Sequence, residues 1–307
     1  MPERIFVQAI RHYCARHDID IDVRADGWLI AMRRGPQRHF AFGYDIGLNS
    51  AIAHRLANDK SAAAEVLALS GVPCIPHRLF IDPKLVPAPG AEEMMRALLA
   101  DNQQGLVLKP NEGTAGRLVI RVTNARELQL AVEKIFTSSQ ALVISPFVDI
   151  EEEVRVILLE ETPMVVYRKE RPSVTGDGTH TLRELARATA LEARLGDVAP
   201  DALDAIVPAG ERRILNWRHN LDAGARPVLI EDGDVRTACV AIAIAAARAI
   251  GIRFASIDIV RTGGAWKVLE INSGVMMEAL GKLYPELAHA TYGAALDRVF
   301  EDNTASR

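Results

Sequence analysis

The chain has 307 residues, 49% hydrophobic and 25% charged, with a formal net charge of −4. That is enough apolar side chain for a large core, or for two to three small subdomains sharing one site, and the slight acidity excludes a protein that coats nucleic acid. The start, Met1-Pro2-Glu3-Arg4, lacks a signal-type apolar stretch, and the richest apolar run, Ala238 to Ala247, is too short to span a bilayer, so a cytoplasmic protein without membrane or nucleic-acid partners is expected.

Residues 3–17 read as a helix and 19–42 as short strands broken at Asp26-Gly27 and Gly35-Pro36, with Trp28, Ile30 and Phe40 as packing residues of a small N-terminal unit. Asn58-Asp59-Lys60 opens another helix, carried by Val66 and Leu67 and closed by Gly71 and Pro73. Lys60 in its first turn opposes the positive end of the helix dipole, so it should be solvated or face something anionic; taken alone, solvation is favoured. Cys14, Cys74 and Cys239 are far apart and lack metal-type spacing, which predicts reduced, buried thiols.

The next stretch, 99–150, reads strand (106–109), loop (111–116), strand (118–122), helix (from 125, with Asn124 and Glu127 at capping-box spacing) and strand (141–144). Gly113 and Gly116 let backbone N–H groups turn toward an anion, and Lys109 stands at the mouth of the loop as a fixed positive charge. The pattern is neither a P-loop nor a dinucleotide fingerprint. An ordinary hairpin loop is the plainer alternative.

Strands follow at 153–159 and 164–172, and Gly176-Asp177-Gly178-Thr179-His180-Thr181 leads into a helix with Thr181 and Glu184 at capping-box spacing. Arg168, Lys169 and Arg171 cluster at a strand end, either a solvated edge or a polyphosphate clamp. The run from Arg212 to Leu221 again sets cations beside amides, and a helix from 234 to Gly251 packs an Ala/Ile face on the sheet.

Near the C-terminus, Ser256-Ile257-Asp258-Ile259-Val260 and Val268-Leu269-Glu270-Ile271-Asn272 flank Gly263-Gly264. Strand alternation puts Asp258 on the face opposite Ile257 and Ile259, and Glu270 and Asn272 on the face opposite Leu269 and Ile271. These are hard oxygen donors with no histidine or thiolate beside them, the set Mg²⁺ takes together with substrate phosphates and water. The carboxylates meet only if a three-residue loop or a bulge aligns Asp258 with Glu270, since a tight two-residue turn alone would separate them. A solvated hairpin with two outward acids is the alternative.

Asp59-Lys60 before a helix ending Gly71-Val72-Pro73, Val107-Leu108-Lys109-Pro110 before the glycine loop, Val174-Thr175-Gly176-Asp177-Gly178-Thr179-His180-Thr181, Asn220-Leu221 with Gly224, and Asp258 with Glu270-Ile271-Asn272 occur in this order. Across roughly 56–275 the chain thereby resembles the ATP-grasp superfamily, in the branch holding cyanophycin synthetase, glutathione synthetases and the glutamate ligases that modify ribosomal proteins. The resemblance implies an α+β fold whose two subdomains clasp ATP: a shortened N-terminal domain over 1–98, a lid subdomain over 99–150 and a large subdomain with the Mg²⁺ site over 151–307. It implies Lys60 and Lys109 on the phosphates and the loop with Glu112, Gly113 and Gly116 closing over them. Lys169 joins the nucleotide set, Ser145 and Phe147 form the adenine hinge, and Glu153 lies near the ribose. Arg155, Arg171, Arg218 and Asn220 would hold the transferring phosphate or a substrate carboxylate, and Asp258, Glu270 and Asn272 one or two Mg²⁺, for which Mn²⁺ substitutes. Many relatives carry Glu where Ser145 stands, and proline where Ser273 follows Asn272.

The activity this implies is an ADP-forming ligation of an amino-acid or peptide carboxylate to an amine through an acyl phosphate, in a homodimer. Positioning and charge stabilisation suffice for that chemistry, so His180 and His219 are not expected to act as bases. Glu270→Gln or Asp258→Asn is expected to abolish turnover with little loss of fold. A kinase on the same scaffold, or a nucleotide-binding regulatory module, are the alternatives.

Overall fold

The computed structural model describes residues 3–305 except 114–115, 193–194, 196–197 and 199. The chain divides into two units, Met1–Val166 with Glu231–Arg307, and Tyr167–Ile230. No helix among the described residues is long and apolar enough to cross a membrane.

The first unit opens with α1 (Ile5–Arg16), whose Phe6, Ala9, Ile10, Tyr13 and Cys14 recur at helical spacing and are buried. The strands β1 (Asp20–Arg24), β2 (Leu29–Arg34) and β3 (Gln37–Phe42) form an antiparallel sheet in that order. Ile30 is buried as expected, but Trp28 and Phe40 are 50% and 57% exposed. Alternation along β3 turns Ala41 inward and so puts Phe40 and Phe42 outside, while the Trp28 ring lies against the Arg4 guanidinium, 4.7 Å from its centroid. Helices α2 (Ala51–Asn58) and α3 (Lys60–Leu69) then abut; Asp59 ends one with extended backbone and caps the other, its Oδ1 accepting from the Ala62 N–H at 2.8 Å. Linker helices are expected within 1–98, but the sequence gives α2 no range of its own.

An antiparallel sheet of order β4-β7-β5-β6 follows, built from β4 (Arg78–Ile81), β5 (Leu106–Pro110), β6 (Ile120–Val122) and β7 (Ala141–Pro146). Helices α4 (Ala91–Asp101) and α5 (Ala125–Phe136) bury Met95, Leu128, Ala131 and Ile135 among Leu106, Leu108, Leu142 and Ile144 of its strands. The Asn124 cap is present, but Glu127 turns its carboxylate to the Thr123 N–H at 2.7 Å. Next come β8 (Glu152–Leu159) and β9 (Thr162–Glu170), whose last residues belong to the second unit.

In the second unit, β10 (Ser173–Thr175), α6 (Leu182–Ala188), α7 (Pro200–Leu203), β11 (Arg212–Ile214) and β12 (Arg226–Leu229) follow. β10 pairs with β11, β12 pairs with residues 167–170 of β9, and Val174, Leu182, Ala186, Val207 and Leu215 form a small core. The expected Thr181–Glu184 capping box is formed in full. Gly176 is fixed by packing, since a Cβ there would collide with the Pro208 carbonyl and the Val207 side chain.

The chain completes the first unit with α8 (Asp234–Ile250), β13 (Phe254–Thr262), β14 (Ala265–Asn272), α9 (Glu278–Leu283) and α10 (Pro285–Ala305). Strands β8, β13 and β14 are antiparallel neighbours, and α8 packs on them through Cys239, Ala243, Ala246 and Ala247. Along β8 Glu152 and Glu153 point to opposite faces, and Glu153 shares the face of Arg155. The described cysteines are free thiols; Cys14 and Cys239 are buried, whereas Cys74 is only partly so, which corrects the expectation for that residue. Burial pushes Cys14 up to about 11 and Cys239 up to about 12, which keeps both protonated and inert.

Candidate active site

The site begins at the β13–β14 hairpin. Thr262 pairs with Ala265 across a two-residue turn, Gly263-Gly264, whose φ values of +56° and +75° suit glycine in a tight hairpin. Such a turn alone would split the carboxylates, but the register shifts between Asp258 and Ile259, and beyond that bulge Asp258 lies opposite Glu270 and Ser256 opposite Asn272. Of the two conditions open to the sequence, the bulge is the one met. Asp258, Glu270, Ser256 and Asn272 therefore share one face. From β8, Arg155 lies opposite Asp258 and Glu153 opposite Val260, which brings both onto that face.

Burial sets the character of this face. Asp258 is 4% exposed and Glu153 5%. Arg155 holds Asp258 in a fork, Nε donating to Oδ1 and Nη2 to Oδ2, each at 2.7 Å. Asn49 fixes the far end of β13, its Oδ1 accepting from the Arg253 and Phe254 N–H groups. Past Asn272, the Ser273 hydroxyl lies 3.0 Å from His54 Nδ1 and 3.3 Å from Asn58 Oδ1 of α2. Further on, the Tyr292 hydroxyl of α10 donates to the Val275 carbonyl at 2.7 Å. The loop after Asn272 is thus clamped by helices that the sequence reading left unassigned.

Lys60 and Lys109 approach from other elements of the same unit. Lys60 is buried, not solvated: its Nζ donates to the Gly113 carbonyl at 2.9 Å and, at 3.4 Å, to that of Asn111, while Ser61 N donates to Asn111 Oδ1. The dipole conflict is met by neutral carbonyls of the glycine loop. Lys109 on β5 is also buried, and among the described residues its ammonium has no hydrogen-bond partner. Burial pushes it down to about 8 against the fields of Glu270, Glu153 and Asp258, with Lys60 adding to the depression. Those fields place Lys60, Lys109, Glu153, Asp258 and Glu270 in one electrostatic cluster. Glu112 and Gly113 are exposed and Gly116 partly so; residues 114 and 115 of the expected loop lie outside the described residues.

At the expected hinge, Ser145 is buried and pairs with Val107, the Phe147 N–H donates to the Gly105 carbonyl at 2.9 Å, and the Arg121 guanidinium stacks 3.6 Å from the Phe147 ring centroid. The remaining expected residues belong to the second unit. There the Lys169 carbonyl lies 3.0 Å from His219 Nδ1, Arg171 follows β9, the Arg218 N–H donates to Asn216 Oδ1, and Asn220 Oδ1 caps the Leu221–Ala223 turn through the Asp222 N–H. His180 pairs with Asp177 within its own loop, its Nδ1 2.6 Å from Oδ2.

The carboxylate face suits a hard divalent ion. Two carboxylates and an amide oxygen share it, and the Ser256 hydroxyl, 1% exposed, has no hydrogen-bond partner among the described residues. No three His, Cys, Asp or Glu side chains gather as a ready-made metal cage among the described residues. The donor set therefore fits an ion that completes its shell with phosphate and water oxygens.

Solved structures share this architecture. A D-alanine–D-alanine ligase from Bacillus anthracis superposes with a TM-score of 0.56 at 16% identity, covering 82% of this chain and 69% of that one. A bifunctional glutathione synthetase from Pasteurella multocida gives 0.55 at 16% identity over 93% of this chain. This protein has the ATP-grasp fold. The VanG D-Ala:D-Ser ligase from Enterococcus faecalis also aligns, with a TM-score of 0.50 at 16% identity, over 75% of this ATP-grasp chain and 56% of its own. The chain spans 44% of the length of the glutathione synthetase. No protein-family model and no curated protein sequence matches it.

Proposed function

We propose that this protein is an ATP-dependent, ADP-forming carboxylate–amine ligase. The carrying observation is the pairing of buried Asp258 with half-buried Glu270 on one face, in the field of the Lys109 ammonium, which has no hydrogen-bond partner among the described residues. The likeness of fold to ligases supports it. The donor carboxylate attacks the γ-phosphorus of ATP and ADP leaves; the acyl phosphate is then attacked by the amine, which loses a proton as phosphate departs and the amide forms.

In this reading Lys109 and Lys60 bind the phosphates, and the loop with Glu112, Gly113 and Gly116 covers them. Ser145 and Phe147 flank the adenine. Because the Phe147 N–H is already engaged, its neighbours supply the hinge contacts. Glu153 takes the ribose, Lys169 the nucleotide, and Arg155, Arg171, Arg218 and Asn220 the transferring phosphate or the donor carboxylate. Arg155 acts through its fork on Asp258. Asp258, Glu270 and Asn272 would hold Mg²⁺, which neutralises charge on the phosphate oxygens when bound. The reading keeps residues 1–98, 99–150 and 151–307 as N-terminal, lid and large functional segments, and a cytoplasmic homodimer acting on small amino acids or peptides.

The test is ADP release from Mg-ATP, with and without pooled amino acids and short peptides, followed by mass spectrometry. Acceptor-dependent ADP together with a product of two substrates minus one water is the expected result. A phosphorylated substrate that accumulates without amide would replace this reading with a kinase.

A further inference from the structure

His77 has no part in the reading above. It follows the segment that closes the edge of β14, where Ile75 N donates to the Val268 carbonyl and Val268 N to that of Pro73. The ring is 6% exposed. Its Nδ1 lies 2.9 Å from the Ile75 carbonyl oxygen, which only accepts, so Nδ1 carries the hydrogen and Nε2 the lone pair. Nε2 is fully buried with no hydrogen-bond partner among the described residues. A buried acceptor left unpaired is an exception that calls for a cause.

Beside it is a cavity of about 10 Å³ lined by Lys60, His77 and Glu270, with Cys74, Ile75 and Ala57 among its apolar walls. That is close to the space one water needs. Burial first, then the charges of Lys109 and Lys60, push His77 down to about 2, so the ring stays neutral there. The polar groups complement one water. Lys60 spends two ammonium hydrogens on the Gly113 and Asn111 carbonyls, leaving the third; Glu270 and Nε2 both accept. A water that donates to Nε2 and to Glu270 and accepts from Lys60 satisfies all three.

We propose that His77 is a positioning residue that fixes one buried water, and through it the separation between Lys60 and Glu270. A neutral bridge of this kind keeps the ammonium and the carboxylate apart, so that neither charge is cancelled in a direct ion pair and both still act on a nucleotide and its metal. The consequence for nucleotide binding rests on the ligase reading; the water site does not.

Two variants and one structure test this. In a high-resolution crystal structure of the wild type, one ordered water should lie within hydrogen-bond reach of Nε2 and the Glu270 carboxylate. By calorimetry, His77→Leu should bind Mg²⁺ with a non-hydrolysable ATP analogue about tenfold more weakly, and require about tenfold more Mg²⁺, at an unchanged melting temperature. His77→Gln, which keeps an acceptor, should restore most of that affinity. A dry cavity in the wild type, or His77→Leu binding as tightly as wild type, overturns the proposal. Wild-type protein that binds no Mg-nucleotide removes the ligase reading instead, and the density still decides the water.

Discussion

The start of α3 and the end of β5 each bury a lysine, and the fold treats the two in opposite ways. Lys60 is held by backbone carbonyls of the glycine loop, groups that fix its direction without neutralising it. Lys109 has no such partner among the described residues and sits in the fields of Glu270, Glu153 and Asp258, which offset only part of its desolvation. The lesson is that burial alone does not mark a functional charge. A cation satisfied by neutral acceptors does structural work as well, whereas one kept unpaired is costly unless a ligand completes it.

The sharpest way to break this comparison is Lys109→Met, which removes the unpaired charge and keeps the volume. We expect Mg-ATP binding to weaken by about 100-fold by calorimetry. Stability should rise instead of fall, by roughly 3 kcal/mol at neutral pH in urea unfolding, given a depression from 10.5 to about 8. Between pH 8 and 10.5 the unfolded wild type still binds a proton that the folded form has released. Wild-type stability therefore gains with rising pH across that window, and the gap to the variant closes. A gap that does not depend on pH would show that Lys109 is not the cause.

Next is Asp258→Asn. The sequence suggested a loss of turnover with little cost to the fold, but the Arg155 fork revises this, because the variant removes the charge that both fork hydrogen bonds of a guanidinium 12% exposed are made to. Acceptor-dependent ADP release should vanish and stability should drop by about 3 kcal/mol, with the Arg155→Leu/Asp258→Leu pair regaining much of it in unfolding titrations. Glu270→Gln, which breaks no ion pair among the described residues, should lose turnover with its stability intact. Equal destabilisation by Asp258→Asn and Glu270→Gln would refute the distinction.

Lys60→Met should have a smaller effect. The loss of two carbonyl contacts predicts a stability decrease of about 1–2 kcal/mol, and faster amide exchange at Asn111 and Gly113 than in Lys109→Met. The smallest effect lies in the second unit. Asp177 raises His180 above 6.5, so their pairing is fully present below that pH and fades as pH climbs through the raised value. Both side chains are exposed, and Asp177→Asn should return the NMR titration of His180 to its ordinary range without changing Mg-ATP binding.

Much of this was legible in the sequence. The strand alternation around Asp258 and Glu270 and the Asp59 and Thr181 caps follow from local rules, and each has its expected form. Apolar type alone does not place Phe40, because the register of β3 selects Ala41 for the core, nor Trp28, which lies in the turn before β2 against the Arg4 guanidinium. α2 was missed because Asp59 serves both helices, so no turn sequence separates them. His77 carries no sequence signal. Its role depends on a cavity between α3 and β14, elements far apart along the chain.

By itself the sequence determined the alternation, the caps and the inventory of lysines and carboxylates, because these depend on neighbours within a few residues. Only the tertiary structure decided which carboxylate meets which cation. A single bulged residue at Leu269 sets Asp258 against Glu270, and the pairing of β13 with β8 brings Arg155 onto Asp258. Charge energies in a buried site depend on distances of a few ångströms and on the water excluded, and those are fixed by packing between distant segments.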